Sequence, residues 1–85
     1  MKTRIVYRST SEHGTTVEDY LRDFSRQTGS TIETLDPDTL EGINFCRAYD
    51  IVEYPSVIAL SDDGRVQSTW RGLPLPTINE LSYYS

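Results

Sequence analysis

The chain has 85 residues, the length of one small domain and too short for two. Thirteen acidic against eight basic side chains give a formal charge of −5, and no basic run occurs. Nucleic acid and anionic membrane are therefore not expected as partners, because both reward clustered Lys and Arg. No stretch approaches the roughly 20 apolar residues that span a bilayer.

Cys46 is the one cysteine, so no intramolecular disulfide forms, whereas a secreted domain of this size usually carries several. The first residues, Met1 to Arg8, have no apolar core of signal-peptide length. A reduced, cytoplasmic compartment is the expectation.

Ile5-Val6-Tyr7 is β-branched and aromatic, a short buried strand. A polar loop follows from Ser9 to Gly14. Thr15-Thr16-Val17-Glu18 has the spacing of a capping box, with the Thr15 hydroxyl on a free helix N–H and Glu18 reaching back. Val17, Tyr20, Leu21 and Phe24 recur at i, i+3, i+4 and i+7, one face of an amphipathic helix from about residue 16 to 28. Gly29 is placed to close it in the left-handed conformation.

Residues 31–35 alternate and read as a second strand. Asp36-Pro37-Asp38 is turn chemistry. Gly42, Phe45, Cys46 and Tyr49 share a face of a second helix, about residues 40–49, and Gly42 is expected to let that helix approach the sheet closely. Residues 56–60 are unbroken in apolar character, as in a strand covered on both faces. Asp63-Gly64 marks a hairpin, and residues 65–71 alternate as a half-exposed strand that Gly72 ends. Pro74 and Pro76 hold an extended link. Thr77 is placed to cap a last short helix through Ile78, Leu81 and Tyr84. The order βαβα followed by ββα fits a single domain over residues 1–85, with one four-stranded mixed sheet and helices on both faces.

That order resembles the thioredoxin fold in its small, glutaredoxin-sized form. The likeness in residues runs from Phe45 to Gly72. Phe45 to Ile51 resembles the segment where a helix ends in Tyr and an Ile enters the next loop. Tyr54-Pro55-Ser56 resembles the cis-proline site, Asp63-Gly64 the hairpin, and Trp70-Arg71-Gly72 the end of the last strand. In the first half only the order of elements matches. The family's Cys-x-x-Cys would fall at Ser11 to Gly14 counting back from Val17, or at Glu12 to Thr15 counting forward from the first strand. Neither register holds a cysteine. A serine hydroxyl is far less acidic than a thiol and forms no reversible disulfide, so the family's thiol–disulfide exchange is not expected.

The resemblance implies a groove with Ser11, Glu12, His13 and Gly14 on one side and Tyr54, Pro55 and Ser56 on the other. In the family, the backbone before the cis-proline pairs with an extended peptide or with glutathione, the strand-addition mode. A redox-inactive module is therefore expected, one that binds a peptide, a partner protein or a small anionic thiol ligand. The helix start beside the groove favours an anion. No cofactor or metal is expected: His13 is the one histidine and has no cysteine beside it. Ser11 and His13 as nucleophile and base lack an orienting acid beyond Glu12 and an oxyanion motif, and the alternative is a polar loop over a helix end.

The alternative from the enzyme class is redox or thiol-transfer work through Cys46, a homodimer disulfide being one form of it. Against it stands the place of Cys46 on an apolar face, where a cysteine behaves as a small hydrophobe. A third reading is an oligomerisation module pairing through a sheet edge, with a monomer or weak homodimer as the expected state. Of six tyrosines, Tyr7, Tyr20 and Tyr49 fall on core faces. Tyr54, Tyr83 and Tyr84 fall on loops or the tail, where with Trp70 they form a contact patch or pack partly on the sheet.

Overall fold

Seven elements order the described residues, 2–84, of the computed structural model: β1 (Lys2–Val6), α1 (Gly14–Thr28), β2 (Glu33–Leu35), α2 (Leu40–Tyr49), β3 (Ser56–Leu60), β4 (Val66–Arg71) and α3 (Ile78–Ser82). The strands form one sheet in the order β2-β1-β3-β4. β1 runs parallel to β2 and antiparallel to β3, and β3 is antiparallel to β4. The α/β fold with a four-stranded mixed sheet is thus the one expected.

Neighbouring residues on a strand point to opposite faces, and the chain uses both. Val6, Leu35, Ile58 and Leu60 pack with Phe45 and Cys46 of α2. Ile5 and Val57 pack on the other face with Val17 and Phe24 of α1 and Leu81 of α3. Every residue of β3 is buried, which accounts for its lack of polar alternation. Each large side chain buried in this way stabilises the fold by roughly 1.5–3 kcal/mol.

The boundaries differ from the sequence expectation in instructive places. α1 begins at Gly14, and His13 before it already has near-helical angles with no side-chain cap. The Thr15–Glu18 capping box does not form. The loop reaches helical geometry early because it is a chain of tight turns, Ser11 N–H to Arg8 O and Gly14 N–H to Ser11 O, both 3.1 Å. Gly14 also abuts the Ser9 carbonyl so closely that a Cβ there would overlap it. The capping box appears instead at α3, where Thr77 and Glu80 satisfy each other's backbone N–H. Gly29 closes α1 at φ 74°, its N–H on Ser25 O.

β1 starts at Lys2 rather than Ile5, and β2 is three residues long. Gly42 is buried, but its close neighbour is the Asp36–Pro37 backbone and not the sheet. Thr39 caps α2 by accepting from Gly42 N–H at 3.0 Å. At the other end of α2, Asp50 takes φ 56° and donates its N–H to Cys46 O, a left-handed closure that Asp tolerates better than most residues. In the β3–β4 connection only Gly64 has a positive φ, 85°. Ser61 N–H reaches across to Arg65 O at 2.8 Å, so the loop is longer than a two-residue turn. The Leu73–Pro74 peptide, in the link before α3, is cis.

Two substitutions test these local arguments. Gly42→Ala forces a Cβ into fixed backbone, so urea unfolding is expected to show a loss of about 2 kcal/mol or more. Thr77→Ala removes the α3 cap and is expected to cost about 1 kcal/mol in the same assay.

Candidate functional site

The sheet register brings two distant loops together. β1 and β3 are antiparallel with Val6 opposite Ser56. Continuing that register past the strand ends sets Arg8, two residues after Val6, beside Tyr54, two residues before Ser56. The Arg8 guanidinium carbon lies 4.8 Å from the centre of the Tyr54 ring, within cation–π range. On the other side, β1 runs parallel to β2 with Val6 beside Leu35, and Tyr7 N–H donates to Leu35 O. The β2–α2 loop therefore starts next to Arg8. Arg8 grips Asp38 there with two hydrogen bonds, Nε to Oδ2 at 2.9 Å and Nη2 to Oδ1 at 3.1 Å.

The main chain of Arg8 holds the α1 loop in turn. Ser11 Oγ donates to Arg8 O at 2.6 Å, and Arg8 N–H donates to His13 Nε2 at 3.4 Å. His13 also lies at a tilt to Tyr7, their ring centres 6.5 Å apart. The Ser11 hydroxyl proton is thus committed to the backbone and not to His13, so the pair is part of the loop's framework and lacks the linkage of a nucleophile and its base. Among the described residues no three His, Cys, Asp or Glu side chains cluster as a metal site.

On the other wall the Tyr54–Pro55 peptide is cis. Pro55 and Ser56 are fully buried, and the Ser56 hydroxyl donates to Glu53 O at 2.6 Å. Pro55 O accepts from Gly72 N–H at 2.8 Å, which draws the end of β4 to this loop. Tyr54 is half-buried, and among the described residues no main-chain hydrogen bond of the loops and turns uses its N–H or C=O. Of the seven residues proposed for the groove, Glu12 is exposed and Ser11, His13 and Tyr54 are half-buried. Gly14, Pro55 and Ser56 are interior and shape the loops from behind.

Electrostatically the site centres on the Arg8–Asp38 ion pair. The hydrogen bond from Arg8 holds the Asp38 carboxyl below the usual carboxylate range. Burial, followed by the neighbouring Cys46 thiol, pushes the Tyr54 phenol up, and Arg8 opposes the shift. Cys46 itself is 8% exposed and packs in the α2-side core.

Sequence reading missed Arg8 and Asp38. They stand 30 residues apart, and only a register shared by three strands makes them neighbours. The aromatic patch is partly as expected. Trp70 and Tyr84 meet edge to face at 5.6 Å, Tyr84 meets Tyr83 at 5.2 Å, and Tyr83 is 81% exposed. Tyr7, Tyr20 and Tyr49 are half-buried at the margins of the two cores.

No helix among the described residues is long and apolar enough to cross a membrane. No protein-family model matches the chain, and no curated protein matches it. Among solved structures it is similar to thioredoxin 1 from the thermophilic eubacterium Thermosipho africanus TCF52B, with a TM-score of 0.67 over 99% of this chain and 89% of that one, at 14% identity. At that identity the likeness speaks for the backbone alone, and with the sheet order described above the chain has a thioredoxin-like fold.

Proposed function

We propose that this chain is a redox-inactive binding module, which holds an extended segment of a peptide or partner protein against the main chain of Tyr54. One observation carries the reading: Arg8 ties the α1 loop, the Tyr54–Pro55 loop and Asp38 into one surface. A surface organised by one shared residue, through its main chain and its guanidinium, around the main chain of Tyr54 suits strand addition, where main-chain bonds give affinity and nearby side chains give selectivity. Thiol–disulfide exchange needs an accessible thiolate, and the one cysteine of these 85 residues sits in the core.

The test is amide shift mapping of the labelled chain with a panel of extended peptides. Perturbations at Tyr54, Glu53 and residues 9–13 are expected, and perturbations only at sites remote from both loops would remove the reading. Arg8→Leu is expected to weaken the interaction roughly fivefold by releasing the Tyr54 ring and Asp38 from the guanidinium.

The same variant has a pH signature. Asp38 has a depressed pKa in the fold, so its pairing with Arg8 persists from neutral pH down through the ordinary carboxylate range. The associated stability is present above the unfolded pKa and is lost as pH falls through the lowered folded one. Carboxyl carbon titration of Asp38 is expected to show a higher midpoint in Arg8→Leu than in the parent chain. An unchanged midpoint would mean that the guanidinium does not hold this carboxylate in solution.

A further inference from the structure

A second surface lies along the flank of α1, away from the loop that Arg8 organises. Thr16, Asp19, Tyr20 and Asp23 repeat at i, i+3, i+4 and i+7, a stripe beside the core-facing one. Opposite them runs the link between β4 and α3, with Leu73 and Leu75. The two walls enclose an open groove of about 500 Å³, within the size range of ligand sites. Leu73 is 55% exposed, and Leu75 is half-buried, so the link shows the groove an apolar wall. Burial, with Glu80 nearby, pushes the Tyr20 phenol up to about 12, so the ring between the walls is neutral at physiological pH.

The charges that line the groove are therefore of one sign, the carboxylates of Asp19 and Asp23. Each has a local cation, Arg22 at 2.5 Å and Arg26 at 2.7 Å. Those pairs are exposed i, i+3 contacts, of the kind that contributes little and exchanges readily. A second copy of this chain, itself carrying a net charge of −5, is repelled by such a surface. A segment carrying cations is attracted.

We infer that this groove docks a short segment of a partner protein in which an apolar side chain stands beside Lys or Arg. The apolar group seats between Tyr20 and the two leucines, and the cation takes Asp19 and Asp23. This inference does not depend on backbone pairing at Tyr54, because it uses different residues and a different chemistry.

The probe is a blocked tetrapeptide, Lys-Leu-Phe-Lys, titrated into the labelled chain beside its counterpart Glu-Leu-Phe-Glu. The lysine peptide is expected to shift the amides of Thr16, Asp19, Tyr20, Asp23 and Leu73. The glutamate peptide is expected to bind roughly fivefold more weakly or worse, with the difference shrinking in high salt. Asp19→Asn with Asp23→Asn is expected to close the gap between the two peptides. Leu73→Ser, at an exposed position, is expected to weaken the lysine peptide about tenfold while leaving the melting temperature in place. Equal binding of the two peptides, or an absence of shifts along this stripe, overturns the inference. Groove shifts that depend on protein concentration without peptide also overturn it, in favour of self-association. Shifts confined to residues 9–13 and Tyr54 overturn it too, and leave the proposed pairing at Tyr54 standing.

Discussion

The structure depends on burying β3 on both faces. Its five residues, Ser56–Leu60, have no solvent side, so the strand must lie inside the sheet with helices above and below. β1 and β4 then flank it, α2 covers one face, and α1 with α3 covers the other. A polar residue within this strand would be left without a partner. Ser56 avoids that by turning its hydroxyl back to Glu53 O. The same bond ties the start of the strand to the loop before it, so the core itself helps to set the course of the Tyr54–Pro55 segment.

From that constraint the candidate site follows by register. An antiparallel neighbour on one side of β1 and a parallel neighbour on the other bring three chain segments to one end of the sheet. Arg8 is the first long cation past the end of β1. It finds an aromatic face on one side and a carboxylate on the other. The guanidinium suits this position because it stacks on a ring and still presents its fork of donors at the edge. A lysine at the same place would offer a point charge and one geometry fewer.

The two proposed surfaces share α1 but use it differently. Its first turn and preceding loop belong to the assembly around Arg8, where main-chain groups do most of the holding. Its flank, one stripe around from the core, meets the β4–α3 link and presents side chains of one charge sign over an apolar wall. A helix of fifteen residues is long enough to serve the core, a loop and a groove on separate stripes, because successive faces of a helix are chemically independent.

The order of elements, the helical faces of Val17 to Phe24 and Phe45 to Tyr49, the two-sided burial of β3 and the Thr77 cap were all legible in the sequence. These are local patterns, in which period and spacing carry the physics within a few residues. The start of α1 was misread because a chain of turns and the contact of Gly14 with Ser9 outcompeted the Thr15 cap signal. The pattern marks Gly42 as a close-approach residue, yet what it approaches is a loop, which no periodicity encodes. A proximity of Ser11 and His13 to Tyr54 is implied by a resemblance, not by any local pattern. Arg8, Asp38 and the groove along α1 are implied by neither, since they arise where segments 30 or more residues apart meet. Strand register decides such meetings, and only the folded sheet sets the register.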